Sequence, residues 1–291
     1  MSYPIIDVDP ALAKDLEQLG SKPKFWYVEG DRRWLFKEAR ANTGEDWAEK
    51  VAAELAKLIG VNAAEVDLAV CQHRRGTASP SFLDHRAGDV LIHGNELLGG
   101  LVVGYERDKR FHQSDHTLEN IRGAMIRALP PQGVAEALCT LASYAVLDAL
   151  VGNTDRHHEN WGLIVRTSDG DLRVAPSFDH ASSLGRELTD DARRRWLAAG
   201  QVGQYAEMGH GGIYWSANDR RGANPIDLVR LAATRYHDYF APALRRAADL
   251  DLRAVRAILA NVPAERISEP AIDFAHHFIE YALTELKSVT P

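Results

Sequence analysis

The sequence of 291 residues predicts an α+β fold with two lobes, a small mixed α/β N-lobe and a mainly helical C-lobe. Aromatic and β-branched runs separated by turn residues concentrate in the first hundred residues, which is typical of a small sheet. Beyond residue 187 most apolar residues recur with the period of an α-helix. Residues 96–117 contain glycine and show no clear period, so we divide the chain there, with residues 1–95 as the N-lobe and 96–291 as the C-lobe.

The N-lobe is predicted to combine a β-hairpin with one long helix. Residues 25–28 and 34–36 are aromatic and β-branched runs, and residues 29–32 supply the turn between them. In the segment 43–61 the apolar residues recur at helical spacing, and Gly60 ends the pattern. The other elements expected here are a short helix at 10–19 and strands at 64–71 and 89–93.

The C-lobe is predicted to begin with two helices. Thr117 is a suitable N-cap for a helix over residues 117–128, and Pro130-Pro131 ends it. Residues 132–151 form a strongly apolar helix, which we expect to be buried on most sides. A strand, a tight turn at Ser168-Asp169-Gly170 and a second strand follow residue 160. The remaining predicted helices cover residues 188–199, 225–237, 239–248, 251–260 and 269–287.

Composition excludes several classes of function. The net charge of −7 and the pI of about 5.9 disfavour nucleic acid as a direct partner. Cys71 and Cys139 fit no zinc-binding spacing and are interpreted as buried small side chains. The first residues have no signal-peptide pattern, and no apolar run approaches the roughly 18 residues that a membrane span requires. We therefore expect a cytoplasmic protein that does not associate with membranes.

A cluster of polar residues follows the apolar helix, in the stretch "NTDRHHEN" at residues 153–160. A carboxylate in such a loop, Asp155, can accept a proton from an attacking hydroxyl. An amide a few residues later, Asn160, and a carboxylate after the next hairpin, Asp179, can jointly hold Mg²⁺ through oxygen ligands. This arrangement is typical of phosphoryl transfer, in which positioning and charge neutralisation supply most of the catalysis.

Phosphoryl transfer also requires a cation at the phosphates. Lys37 ends the second strand of the predicted hairpin and precedes the long helix, from which an acidic side chain could hold it. Three helix glutamates are candidates for that role: Glu45, Glu49 and Glu54. The turn Gly20–Lys24 precedes the hairpin, where a phosphate-covering loop would lie. Loop, lysine, glutamate, polar loop and aspartate thus occur in the order seen in kinases.

The stretches "GNTDRHHEN" and "PSFDHASSLG" together resemble the catalytic core of HipA-like serine/threonine kinases, whose loop reads Asn-x-Asp-x-His-x-x-Asn. The first stretch is also similar to the Asp-Arg-His-x-x-Asn loop of phosphatidylinositol 3- and 4-kinases. The motifs cover roughly residues 20–180. The resemblance implies a bilobal protein-kinase-like fold, ATP and Mg²⁺ as cofactors, and a protein substrate.

The resemblance also implies a role for each matching residue. Asp155 would be the catalytic base, and His157 would brace its loop. Asn160 and Asp179 would bind Mg²⁺. The nucleotide would be bound by Ser21, Lys22, Lys37 and Glu49, with Ser21 also a possible site of autophosphorylation.

The sequence departs from the family pattern at two places. The loop at residues 20–24 is short and has one glycine. HipA-like toxins carry an additional N-terminal subdomain that helps to contact a DNA-binding antitoxin, whereas only about twenty residues precede the loop here. We therefore expect a compact, stand-alone HipA-like kinase, and an antitoxin-type partner and a toxin role stay open.

Several other interpretations stay open at this stage. The polar stretch could be a simple turn in which Asn153 and Asp155 form an Asx-turn. The phosphoryl acceptor could be a lipid or a small molecule, although no basic amphipathic helix is evident. A phosphohydrolase could bind a transition metal through Asp155, His157, His158 and Asp179. A pseudokinase would bind ATP without turnover. Trp26, Trp34 and Trp47 are interpreted as core residues, and His158 as solvent-facing or loop-stabilising.

Overall fold

The structure is a computed structural model that describes residues 2–13, 15–16 and 23–289, with residues 15 and 16 described by their backbone. A six-stranded sheet is the main β-structure near the N-terminus. Its neighbouring strands are antiparallel except for the first pair, and they follow the order β1-β5-β6-β4-β3-β2. The strands are β1 (Ile5–Asp7), β2 (Asp15–Leu16), β3 (Lys24–Glu29), β4 (Arg32–Glu38), β5 (Asp67–Cys71) and β6 (Arg74–Pro80).

The predicted hairpin and long helix are both confirmed. Strands β3 and β4 pair from Lys24 with Lys37 to Glu29 with Arg32. The helix α1 (Glu45–Leu58) follows and contacts β5 and β6 of the sheet. Nearly all of its first turns are buried, including the charged residues Glu45, Asp46 and Glu49, because each of these finds a cationic partner.

One expectation for the N-terminal region is wrong, and one strand was not predicted. The segment 10–19 is not a helix in its described part: Pro10–Leu12 form a single 3-10 turn, and Asp15–Leu16 pair with β3. Strand β6 was missed because "RRGTASP" lacks large alternating apolar residues. It is nevertheless a central strand, and Gly76 allows the close approach, since an added Cβ would lie 2.2 Å from the Lys37 carbonyl oxygen.

A second, three-stranded sheet links distant parts of the sequence. It contains β7 (Asp89–His93), β8 (Gly162–Arg166) and β9 (Leu172–Val174) in that order. Strand β7 falls within the predicted N-lobe but pairs with β8 from beyond the boundary. The division at residue 95 itself stays a prediction.

The C-terminal part is mainly helical, as predicted. Its helices are α2 (Gly94–Leu101), α3 (Leu118–Ala128), α4 (Pro131–Val151), α5 (Asp190–Ala198), α6 (Val202–Met208), α7 (Pro225–Arg235), α8 (His237–Ala248), α9 (Leu252–Ala260) and α10 (Glu269–Val289). Thr117 caps α3 by accepting a hydrogen bond from the amide of Asn120. Helix α2 was not predicted because its sequence "GNELLGGL" is rich in glycine, and the short α6 was also missed.

Helix α4 is the central helix of this part of the chain. It packs against α3, α7, α8 and α10, and the core around it is formed mainly by aliphatic side chains together with phenylalanines such as Phe240, Phe274 and Phe278. Its 21 residues, Pro131–Val151, are long and apolar enough to cross a membrane. The expectation that no apolar run in the sequence approaches the length of a membrane span is therefore wrong. However, 67% of its most apolar window is buried inside the protein, as in a core helix.

Gly152 ends α4 and fixes the start of the segment that follows. It has φ +65°, and a Cβ at this position would lie 2.3 Å from Cζ of Phe278 on α10. Residues 153–160, hereafter the polar loop, begin directly after it. The amide of Thr154 donates to the Ser182 carbonyl, so the loop is joined to the segment after β9.

Three buried histidines, two of them in the polar loop, pack together. The ring centroid of His158 lies about 6 Å from those of His116 and His157, and His116 stacks on Trp161. The Trp161 indole N–H donates to Nε2 of His116, so its Nδ1 carries the proton and donates to the Gly212 carbonyl. Burial lowers the pKa of His116 to about 3, so this imidazole is neutral near pH 7.

The neutral histidines make stability depend on pH. A histidine in an unfolded chain binds a proton near pH 6.5, whereas in the folded chain the pKa is about 3 for His116 and His157 and about 4 for His158, with burial as the main cause. Between these values the unfolded state binds more protons than the folded state. The free energy of unfolding therefore falls as the pH is lowered below 6.5 and is insensitive to these groups above it.

We predict that the chain loses stability steeply between pH 6.5 and pH 5. His116 alone accounts for about 2 kcal/mol of the free energy of unfolding over this interval. His116→Gln should flatten this dependence, whereas substitution of the exposed His237 by glutamine should leave it unchanged. Urea unfolding followed by fluorescence at several pH values measures the effect. An unaltered pH dependence in His116→Gln would contradict the assignment of a buried neutral His116.

Candidate active site

The polar loop is held by one buried ion pair. The Arg156 guanidinium binds both carboxylate oxygens of Asp148 on the last turns of α4, at 2.7 and 2.8 Å. The same guanidinium donates to the carbonyls of Asn160 and Phe178 and to the Ser177 hydroxyl. Arg156 therefore joins three segments: the end of α4, the end of the polar loop, and the segment that precedes Asp179.

Asn153 fixes the beginning of the loop. Its amide nitrogen donates to Asp148 at 2.8 Å, and its Oδ1 accepts from the backbone amide of Asp155 at 3.1 Å. The second bond is the Asx-turn that a simple polar turn would also contain. The Asx-turn therefore does not exclude a functional role for the loop, because this turn orients the backbone at Asp155.

Asn160 and Asp155 are joined across the loop. The Asn160 side-chain nitrogen donates to the Asp155 carbonyl at 2.7 Å, which leaves its Oδ1 oxygen oriented as an acceptor. Asp179 adopts φ +60°, a left-handed conformation that aspartate tolerates better than most residues. Asn160 and Asp179 line the same cavity.

Lys37 lies between two carboxylates. Its Nζ is 2.6 Å from Oε1 of Glu49 and 3.0 Å from Oδ1 of Asp179. The other Glu49 oxygen accepts from the Thr77 hydroxyl on β6. Burial alone would lower the pKa of Lys37, but the two carboxylates together raise it, so the ammonium stays charged.

The structure distinguishes among the three candidate glutamates. Only Glu49 of these three binds Lys37, whereas Glu45 pairs with Arg40 and Arg186, and Glu54 pairs with Lys50 and Lys57. The geometry thus brings together Lys37, Glu49 and Asp179, three residues that are widely separated in sequence. It places them beside Asn160.

A cavity of about 170 Å³ contains these four groups, and we call it the first cavity. Its wall also includes Arg110, His157 and Glu159. The apolar part of the wall is formed by the side chains of Trp26, Leu35, Val66, Phe82, Leu91 and Phe178. Trp26 therefore faces a cavity rather than the core, and of the three tryptophans interpreted as core residues only Trp47 is buried. A cleft with apolar walls and a few charged groups at one end is a typical site for a small ligand.

A second cavity of about 340 Å³ lies next to the first. Asp155 lines the second cavity and not the first, whereas Lys37, Asn160 and Asp179 line the first and not the second. Arg110 and His157 line both. The polar loop therefore separates one compartment that contains the possible metal ligands from another that contains the possible base.

His157 is oriented by the loop backbone. The Glu159 amide donates to Nδ1 of His157, so Nε2 carries the proton, and it lies 3.9 Å from Oδ1 of Asp155. Burial and the nearby charge of Arg110 lower the pKa of His157 to about 3. A neutral imidazole with a buried N–H can position a carboxylate or a water molecule, but it cannot act as a general acid near neutral pH.

Two other histidines of this region are structural. His158 is not solvent-facing: it is buried, and its Nδ1 lies 2.8 Å from the Tyr105 hydroxyl, which supports the alternative of loop stabilisation. His180 lies 2.7 Å from the Ser177 hydroxyl. Ser21 and Lys22, the other two predicted nucleotide-binding residues, lie outside the described residues.

The donor set at Asn160 and Asp179 fits Mg²⁺. One carboxylate and one amide oxygen beside a cavity match a cation that takes few protein ligands and fills its other positions with water and phosphate. Within residues 23–289 no group of three histidine, cysteine or acidic side chains converges as a transition-metal site would require. Nδ1 of His158 and Nε2 of His180 are directed to the hydroxyls of Tyr105 and Ser177 instead.

Sequence reasoning missed several residues of this site. Asp148 is a charged residue near the end of a strongly apolar helix, and that placement was a usable signal for a buried ion pair with Arg156. Arg110 had no such signal, because its segment is irregular and its proximity to the loop depends on tertiary structure. The same holds for Thr77, which lies on the strand that was not predicted.

Comparisons with known proteins identify relatives of the chain. The family model described as the HipA-like C-terminal domain matches residues 18–207, about two thirds of the sequence. The serine/threonine-protein kinase CtkA of Helicobacter pylori strain J99 is 27% identical over 147 residues, which are 49% of this chain and 42% of that protein. The alignment therefore spans less than half the length of this curated relative.

Two solved structures share the fold. The crystal structure of the Helicobacter pylori proinflammatory kinase CtkA superposes with a TM-score of 0.81 at 20% identity and covers 98% of both chains. HipA from the toxin–antitoxin complex of Shewanella oneidensis MR-1 with HipB and operator DNA gives a TM-score of 0.51 at 16% identity, covering 94% of this chain and 65% of that one.

These two likenesses confirm the predicted α+β fold of the protein-kinase-like class. The match to residues 18–207 includes Lys37, Glu49, the polar loop and Asp179. The chain belongs to the family of the HipA-like C-terminal domain.

Proposed function

We propose that the chain is an ATP- and Mg²⁺-dependent phosphotransferase that acts on serine or threonine hydroxyls of proteins. One observation carries the proposal: Lys37, bound by Glu49 and Asp179, shares a cavity with Asn160, and Asp155 lies in the adjoining cavity. The name of the Helicobacter pylori relative supports a serine or threonine acceptor.

Each residue has a defined task under this proposal. Lys37 binds the phosphates of ATP, and Glu49 holds its ammonium group in place. Asn160 and Asp179 would hold Mg²⁺, which neutralises the developing phosphate charge when it is bound. Asp155 accepts the proton of the acceptor hydroxyl, and the His157 N–H helps to position that carboxylate. Ser21 and Lys22 remain proposed contacts to the nucleotide, with Ser21 a possible autophosphorylation site.

The alternatives differ in what they require of this geometry. A lipid or small-molecule kinase would use the same residues. A phosphatidylinositol acceptor, which the resemblance to phosphatidylinositol kinases suggests, therefore stays a prediction. A transition-metal phosphohydrolase is disfavoured, because no group of three histidine, cysteine or acidic side chains converges in the described part of the chain, and Nδ1 of His158 lies beside the Tyr105 hydroxyl instead. A pseudokinase would keep the first cavity but show no transfer.

Partners and location are also part of the proposal. In its solved complex the Shewanella oneidensis protein is assembled with HipB and operator DNA. For the present chain we propose a cytoplasmic protein with a protein substrate and without direct binding of nucleic acid or membranes. An antitoxin-type partner stays open.

We predict that incubation with MgATP adds the mass of one or more phosphoryl groups to the wild-type chain and none to Asp155→Asn. The amide cannot accept the proton of the attacking hydroxyl, so transfer should fall by at least about a hundredfold. Intact-protein mass spectrometry measures the gain, and peptide mapping tests Ser21. Asp171→Asn is the control, since Asp171 lies exposed between β8 and β9 and lines neither cavity. Equal labelling of wild type and Asp155→Asn would refute the role of Asp155.

We predict that Lys37→Ala weakens ATP binding by about tenfold or more, because the phosphates lose their cation and Glu49 is left unpaired. Isothermal titration calorimetry with a non-hydrolysable ATP analogue and Mg²⁺ gives the affinity. Lys57→Ala removes a largely exposed lysine from α1 and should bind as tightly as wild type. Wild-type affinity in Lys37→Ala would mean that the nucleotide does not occupy the first cavity.

A further inference from the structure

The second cavity has features that the proposed function does not yet use. It is about 340 Å³ in volume and lies on the Asp155 side of the polar loop, where the acceptor hydroxyl must enter. Its far wall is formed by residues 210–212, 214 and 221–222, which come from the long connection between α6 and α7. This wall determines what surrounds the acceptor hydroxyl.

The far wall is fixed to the polar loop by close backbone contact. A Cβ on Gly212 would lie 2.8 Å from the backbone of Arg156 and His157, so the two segments touch because this residue has no side chain. Hydrogen bonds from Gly211 to the Ala223 carbonyl and from Ala223 to the Ile213 carbonyl join the two halves of the wall. The Gly212 carbonyl also accepts from His116.

The charge of the second cavity is opposite to that of the chain. The whole chain carries a net charge of −7, yet the residues that line this cavity include two arginines, Arg110 and Arg221, and one carboxylate, Asp155. Three of the lining histidines, His116, His157 and His158, add no positive charge near pH 7 because their pKa values are lowered to between about 3 and about 4, mainly by burial.

The two arginines differ in how far they are neutralised. Arg110 is mostly buried and faces Glu159 at 3.9 Å, so part of its charge is already compensated. Arg221 is exposed at the mouth of the cavity, and within the described residues no acidic side chain lies within ion-pairing distance of it. Two more carboxylates lie near the cavity without lining it: Asp108, which influences His158, and Asp219, which binds the Ser216 amide.

We propose that the second cavity selects peptide acceptors in which acidic side chains flank the serine or threonine, with Arg221 as the main residue that binds the flanking carboxylate. This inference rests on the proposed function. The hydroxyl reaches Asp155, and a carboxylate a few residues away pairs with the Arg221 guanidinium at the cavity mouth. A basic flank would place two cations together, which is a repulsive contact.

A set of three synthetic peptides tests the proposal. They share one serine and differ only in the residues around it, which are glutamate in the first peptide, glutamine in the second and lysine in the third. Steady-state phosphorylation by the full chain with MgATP gives kcat and KM for each. We expect the wild-type enzyme to use the glutamate peptide with at least tenfold higher kcat/KM than the lysine peptide, and the preference to weaken with added salt.

Substitutions at Arg221 identify the residue responsible. Arg221→Ala should raise KM for the glutamate peptide about tenfold with kcat nearly unchanged, and Arg221→Lys should restore most of the loss. Arg221→Glu should shift the preference towards the lysine peptide. Arg220→Ala is the matched control, because Arg220 is an equally exposed neighbour that lines neither cavity.

The outcomes separate this inference from the proposed function. If the chain labels itself with MgATP but uses the three peptides equally, or none of them, the acidic preference is overturned and the phosphotransferase proposal stands. An equal loss in Arg220→Ala and Arg221→Ala also overturns it, since the effect would then be one of general surface charge. If the chain transfers phosphoryl groups to none of the three peptides and does not label itself, the proposed function fails.

Discussion

The geometry of the candidate active site depends on the buried ion pair between Asp148 and Arg156. Both side chains are almost fully buried, with 6% and 5% of their surface exposed, so each charge is costly without the other. Loss of one member of such a pair typically costs about 3–5 kcal/mol, because the remaining charge stays buried and unpaired. Asp148 belongs to α4, the central helix of the core, and Arg156 belongs to the polar loop. The ion pair therefore fixes the polar loop to the central helix of the core.

A second set of ion pairs joins the N-terminal sheet to the helical region through α1. Three acidic residues on its first two turns each bind cations: Glu45 binds Arg186, Asp46 binds Arg75 and Arg266, and Glu49 binds Lys37. Because Lys37 also reaches Asp179, the lysine connects the sheet to the segment that carries a possible metal ligand. The position of Lys37 relative to Asp179 thus depends in part on its ion pair with Glu49 on α1.

The sequence predicted the parts of the site that are local or periodic. The polar loop, the hairpin that ends at Lys37, the long helix α1 and the apolar helix α4 were all found from patterns within about twenty residues. Strand β6 and helix α2 were missed because neither has a clear apolar period, and each is stabilised by neighbours that are distant in sequence. The same limit applies to function. Helical spacing alone left Glu45, Glu49 and Glu54 open, whereas the resemblance to HipA-like kinases selected Glu49, and the tertiary arrangement shows that Lys37 pairs with Glu49.

Under the proposed function, the neutral histidines keep the environment of Asp155 free of added positive charge although the polar loop is rich in ionisable residues. A protonated His157 with its Nε2 3.9 Å from Asp155 would attract the carboxylate charge and make it a weaker proton acceptor. Burial instead keeps His157 neutral, so it adds no positive charge beside Asp155. His116 and His158 are also kept neutral by burial. Their ring nitrogens form hydrogen bonds instead, His116 with Gly212 and Trp161, and His158 with Tyr105. Arg110 and Arg221 therefore face Asp155 across the second cavity without a charge from these three histidines, and under our proposal the arginines are available to anionic groups near the acceptor.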